Sequence, residues 1–254
     1  MTSSQQISDG WPRPIVLSLD DLSRTRQELV SAARAQFLRS LPDLHEALTA
    51  FVRSLNIQTL IRNGWFPDFS LSLVQIGQVA EAFNDSPEQA LAASEYLCAS
   101  LRDQVDDIEA KLVSVFPNRS EILGDAFQAH RERRWNLSVT VFLTQVDGLF
   151  YDRFLKSLFY RADRTEMAEC FKEMSKELSS AMLRHLLYDG WPLAMSRGER
   201  DQQPGDFTEL NRHRVLHGEA TDYGTEENSL KAISLLNYCA VVLPKAGQAD
   251  DGHQ

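Results

Sequence analysis

Apolar residues recur along most of this chain at spacings of three and four, the period of an amphipathic helix rather than the alternation of a strand. Leu91, Tyr96, Leu97, Leu101, Val105, Ile108, Leu112 and Val115 form one such stripe, running up to Phe116-Pro117. Ser86-Pro87-Glu88-Gln89 stands before it with a capping Ser, a Pro at the first helical position and Gln at the third. Asn118 with Glu121 predicts a second helix through Phe127. Leu137, Val141, Phe142, Val146, Leu149, Phe150, Phe154 and Leu158 predict a long third one. A further helix is expected from Arg164 to Tyr188, ending at Asp189-Gly190-Trp191-Pro192, and earlier ones over Leu19–Arg39, Pro42–Leu55 and Leu71–Phe83. Strand signals are confined to Pro14–Leu17, no internal repeat emerges, and Ser196–Gly205 reads as a mobile connector. The expected fold is all-α: a helical bundle with a helical N-terminal region over residues 1–115 and a distinct C-terminal domain over 116–254.

The C-terminal frame is the most sharply punctuated. Asp206 and Glu209 form a capping-box pattern that predicts a helix from Phe207, and Gly218 is placed to stop it. Thr225 then caps a second helix whose first turn carries Glu226 and Glu227, and which buries Leu230, Ile233, Leu236 and Val241 before Pro244. Between the two lies Arg212-His213-Arg214-Val215-Leu216-His217. His213 and His217 are four apart, about 40° on an ideal helix, and share a face. Arg212 and His217 diverge by about 140°, so they converge on one group only if the last turn unwinds or a second subunit contributes.

The pattern of Arg212, polar His213 and His217 four positions further resembles the signature of the HEPN superfamily of ribonucleases. The stretch Asn211–Asn228, followed by Ser229-Leu230-Lys231-Ala232, is similar to uncharacterised bacterial proteins with that motif, as is the upstream block Phe142-Leu143-Thr144-Gln145-Val146-Asp147-Gly148. The specific similarity covers about residues 206–243, and a weaker one reaches back to about Phe116. It implies a C-terminal HEPN-like helical domain and metal-independent cleavage of RNA, leaving 2′,3′-cyclic phosphate and 5′-hydroxyl ends. A homodimer with a composite active site, a role as a toxin or phage-defence effector, and an antitoxin-like partner follow from the same likeness. The catalytic assignments it implies are His217 as acid/base, Arg212 as phosphate clamp and His213 as a second proton-transfer or positioning group. Arg214 and Asn211 would bind substrate and Asp147 would support the site, with no metal and no cofactor. The residue types suit that chemistry: an imidazole exchanges protons near neutrality, and a guanidinium forks onto phosphoryl oxygens.

Composition limits these expectations. The formal charge of −10 disfavours broad, non-specific nucleic-acid binding. Seven acidic side chains against two Arg lie between Asp201 and Asn228, so RNA would need basic groups from elsewhere, for which Arg131, Arg133 and Arg134 are candidates. The acidic surroundings also keep a second reading open, a catalytically inactive HEPN-like module that binds a nucleotide or RNA. Two His at i and i+4 can also chelate a metal, with His185 or a carboxylate as the third ligand, but no HExxH pattern accompanies them. Taken bare, the two histidines read as surface or capping residues and Arg212 as an ordinary salt-bridge partner of Glu209. Gln145 and Asp147, polar in an apolar stretch, either orient a catalytic His or face a helix interface. Trp65, Trp135 and Trp191 read as core or interface aromatics, and His45 and His130 carry no pattern. Cys98, Cys170 and Cys239 are too far apart in sequence for a thiolate motif and fit a reducing compartment. With neither a signal-peptide pattern nor an apolar run long enough to span a bilayer, a soluble, cytoplasmic protein is expected.

Overall fold

The computed structural model describes residues 57–67, 70–173, 182–183, 185–187, 191–202 and 209–243. All of them lie in the second of the chain's two units, Leu48–Gln254. The expected helices over Leu19–Arg39 and Pro42–Leu55, the strand at Pro14–Leu17, the cap at Asp206 and the stop at Pro244 lie outside the described residues, as does His45.

The described residues form helices joined by turns and contain no strand, so the all-α expectation is met. Helix α1 (Ile57–Arg62) leads through Gly64 into α2 (Leu73–Asp85), where Ser72 and Gln75 complete a reciprocal capping box. Ser86 accepts a hydrogen bond from the Gln89 N–H and starts α3 (Pro87–Arg102), with Pro87 at its first position. The apolar stripe that reads as one helix up to Phe116 is in fact two. The chain breaks at Asp103-Gln104 and resumes as α4 (Val105–Val115), with the period kept across the break. Asn118 does not start the next helix: Pro117–Arg119 is a 3-10 turn, and α5 (Ser120–Arg131) follows it without a side-chain cap.

The long predicted helix is α6 (Trp135–Phe154). It ends at Leu155, a non-glycine residue at φ 55°, and Leu158 is buried in the turn beyond. Helix α7 (Arg161–Glu173) follows, three residues earlier than the pattern places it. A second 3-10 turn (Pro192–Ala194) precedes α8 (Arg197–Arg200), a single turn closed by a Ser196/Glu199 capping box where the sequence reads as connector.

Helix α9 (Arg212–Leu216) is five residues long. The expected start at Phe207 is corrected at Glu209 and Leu210, which are not helical. Asn211, extended at φ −125°, ψ 119°, is the cap, accepting from the Arg214 N–H. Thr225 caps α10 (Glu226–Val242) as the sequence anticipates, with Glu226 and Glu227 in its first turn.

Helix α10 is the axis of the core, packed against α6, α3 and α4, while α5 bridges α4 and α6. It buries more than the stripe of Leu230, Ile233 and Leu236: Ser229, Lys231, Ser234 and Asn237 are buried too. Each polar group inside has a partner. Lys231 Nζ lies 3.2 Å from Glu209 and 3.0 Å from Glu227, and Lys111 donates to Asn237 at 2.6 Å. Buried residues from Ile57 to Leu243 make one apolar cluster. Within it Phe127 meets Phe142 edge-on at 4.9 Å and Phe66 meets Trp191 at 5.2 Å, contacts worth about 0.5–1.5 kcal/mol each beyond burial. Trp65 and Trp191 are core residues, as expected. Cys98 and Cys239 are buried free thiols, and burial pushes Cys98 up to about 11. Among the described residues no helix is long and apolar enough to cross a membrane.

Candidate functional site

Helix α9 is held from beneath and leaves most of its side chains outward. Val215 is its buried residue, and it packs on the Pro192–Ala194 turn and on α6. Asn211 is 3% exposed and fully committed: its Oδ1 caps the helix, and its Nδ2 donates to the carbonyls of Pro192 (2.7 Å) and Met195 (3.0 Å). Asn211 is thus a framework group under the site. At the other end the His217 N–H closes the last turn on His213 O, and Gly218 at φ 71° reverses the chain. The Arg214 carbonyl then accepts from both Glu219 and Ala220, which turns Glu219 back toward the helix.

The histidines meet as their spacing predicts. Their ring centroids are 4.3 Å apart with planes inclined by 47°. His213 Nε2 lies 3.6 Å from Glu219 Oε1, while His217 is exposed. Partial burial, reinforced by the neighbouring His217, holds His213 below the ordinary histidine range. His213 is therefore neutral at pH 7, the form that accepts a proton.

Arg212 faces elsewhere. Its guanidinium lies over the Phe159 ring, 5.1 Å from the centroid, with Nη2 3.5 Å from Asp147 Oδ2 and Nε buried without a hydrogen-bond partner. Asp147 is fixed in turn by Ser157, whose Oγ donates to Oδ1 at 2.6 Å. Arg212 is thus held by Phe159 and Asp147, and His217 packs on the ring of His213. Arg214 is half-buried on the same short helix.

Arg212 opens onto a cavity of about 280 Å³ whose other wall is Arg119, a residue the sequence reading passed over. Arg119 belongs to the 3-10 turn before α5 and reaches across α6. Its Nη1 donates to Gln145 (2.7 Å), and its Nε and Nη2 both donate to Asp152 Oδ2 (3.1 and 2.7 Å). The polar pair of α6 therefore serves two arginines, Gln145 holding Arg119 and Asp147 holding Arg212. The one sequence signal was Gly148: a lone glycine inside a helix marks a close approach, and here the approaching group is the Arg119 guanidinium.

The basic trio proposed as substrate contacts is largely spent. Arg131 pairs with Asp106 and Glu109, and Arg134 pairs with Glu132. Arg133 sits in the left-handed region at φ 59° in the turn after α5. Among the described residues no group of three or more His, Cys, Asp or Glu side chains gathers as a metal site. Comparison with known protein families, with functionally described proteins and with solved structures gives no match to this chain.

Proposed function

We propose that this protein is a metal-independent endoribonuclease of the HEPN type. The observation that carries the reading is the close, tilted His213–His217 ring pair, with Arg212 beginning the same capped helix α9 and His217 ending it. His213, kept neutral by partial burial, is suited to take the proton of a ribose 2′-hydroxyl. The 2′-oxygen attacks the adjacent phosphorus, and the bond to the 5′-oxygen breaks. His217 gives a proton to the leaving oxygen, so the products are a 2′,3′-cyclic phosphate and a 5′-hydroxyl. Arg212 neutralises charge building on the phosphoryl oxygens.

Because the Arg212 guanidinium is held on Phe159 and Asp147 while the histidines pair with each other, the reading includes a homodimer. Two copies of α9 meeting about a twofold axis would supply both groups to one phosphate. A toxin or defence effector, held by an antitoxin-like partner and acting in the cytoplasm, is the cellular role this reading carries.

The test is cleavage of a labelled oligoribonucleotide in the presence of chelator, with identification of the new ends. Activity that survives chelation, yields cyclic phosphate and falls in Arg212→Ala and His217→Ala is the expected result. Activity unchanged in both variants removes the proposal. A second reading, a binding module without cleavage, is favoured by one observation: Arg212 is engaged by Asp147 and Phe159. Nucleotide-dependent thermal stabilisation with no RNA cleavage would establish that alternative.

A further inference from the structure

The cavity beside Arg212 has a second guanidinium built into it. Arg119 lies flat across α6 at Gly148, where an added Cβ would stand 2.5 Å from Nη1, 2.8 Å from Nη2 and 2.9 Å from Cζ. No other residue type at 148 admits this placement without moving the arginine. Gln145, itself 5% exposed, spends its carbonyl oxygen on Arg119, and Asp152 takes two of the remaining N–H groups. A guanidinium carries five N–H donors, so Arg119 keeps two and Arg212, with one long contact to Asp147, keeps more. The two side chains are far apart in sequence and line one cavity of about 280 Å³ with Thr144, Tyr151 and Ser157.

A larger groove of about 970 Å³ adjoins the cavity, and Arg119, Tyr151 and Asp152 line both. The groove is largely apolar, with Phe116, Ile122 and Leu155 among its walls. Two guanidiniums beside an apolar cleft match a phosphate joined to a flat, weakly polar body, the chemistry of a nucleotide.

We infer that Arg119 is a second phosphate-binding residue, acting with Arg212 to hold a nucleotide phosphate while the groove takes the attached nucleoside. The choice of ligand rests on the nuclease reading, whereas the geometry rests on the cavity alone. Asp147 and Asp152 neutralise the two arginines in the free protein, so the phosphate competes with carboxylates and binding weakens as salt rises. Gly148 is then a positioning residue, needed because Arg119 occupies the space of a side chain.

The probe is adenosine 3′-monophosphate, compared with adenosine and inorganic phosphate by calorimetric titration and thermal melting of the full chain. The nucleotide should bind and raise Tm, adenosine should not, and inorganic phosphate should bind more weakly than the nucleotide. Arg119→Gln and Arg212→Gln should each lose about tenfold or more in affinity, and Arg119→Lys should recover only part, lacking the fork. Gly148→Ala, which displaces the tip of Arg119, should weaken binding, though less than Arg119→Gln, while Gly77→Ala, where a Cβ meets nothing within 4 Å, should bind as the parent does. Equal binding of adenosine, unchanged affinity in Arg119→Gln, or no binding by the parent protein each overturns the inference. RNA cleavage assayed on the same preparation separates the two claims. Cleavage without nucleotide binding in the cavity leaves the nuclease reading and removes this one; binding without cleavage does the reverse.

Discussion

His130 Nδ1 lies 2.8 Å from Ser229 Oγ, tying the end of α5 to the first turn of α10 inside the core. Ser229 in turn lies 2.8 Å from Ser138 Oγ on α6, so three helices share one buried polar chain. Burial holds His130 below the ordinary histidine range, against a smaller opposing pull from Glu226. In the unfolded chain it regains a value near 6.5. The unfolded state therefore binds more protons as pH falls below about 6.5, and stability declines from there until the native ring also protonates. Urea midpoints at pH 7.5 and 5.5 should show the parent weaker at the lower pH and His130→Gln with a flatter dependence. His213, lowered as well, leaves a residual slope of the same sign. An identical pH dependence in both proteins would remove this account of His130.

The caps at Ser86 and Thr225 were legible because each is set by residues within one turn, and both hold in the structure. The break at Asp103-Gln104 was hidden because the apolar spacing continues in register across it. At α9 two local signals competed. Asp206 and Glu209 form the stronger pattern on paper, yet Asn211 caps the helix, because its amide also satisfies the carbonyls of the Pro192 turn. That contact is nonlocal, as are the partners that bury Lys231 and the path of Arg119 across Gly148. The stacking of His213 on His217 follows from a spacing of four and was readable; the direction of Arg212 depends on Phe159 and Asp147, distant in sequence, and was not.

Asn211 should be more sensitive than an exposed helix cap. Asn211→Ala removes the cap of α9 and leaves the Pro192 and Met195 carbonyls without their donor, a loss of about 1–3 kcal/mol. Asn211→Asp keeps the capping oxygen but sets a carboxylate against two carbonyls, so it should not rescue. Chemical denaturation of the three proteins checks this. Restoration of parental stability by Asp would show that capping alone matters.

Lys231 separates charge burial from packing. Its ammonium is enclosed by Glu209, Glu227 and the Trp65 ring, at 5.5 Å from the ring centroid, and its side chain is 6% exposed. Glu209 lies just before α9, so the pair also fastens the approach to the candidate site. Lys231→Ala should cost about 1.5–3 kcal/mol by leaving both the cavity and the glutamates unpartnered. Lys231→Met fills the space beside Gly64 and Trp65 and should cost less. Equal losses in the two variants would show that the ion pairs, rather than the packed stem, carry the effect.

The histidine pair makes the sharpest kinetic prediction. If His213 accepts the 2′-hydroxyl proton, cleavage should fall on the acid side as that ring protonates. The acid limb should lie below the free-histidine value, because partial burial and the neighbouring His217 both disfavour the charged form. Replacing His217 with Ala removes the proton donor and should lower kcat by about 10²–10⁴ with little change in KM. It also removes a neighbour that disfavours the His213 charge, so any residual activity should show its acid limb moved upward. The limb shift reports the proximity of the two rings, and the fall in kcat at unchanged KM reports the lost proton donor. Initial rates on one oligoribonucleotide from pH 5 to 8, in chelator, read both. An unchanged kcat in His217→Ala would take the proton-transfer assignment with it.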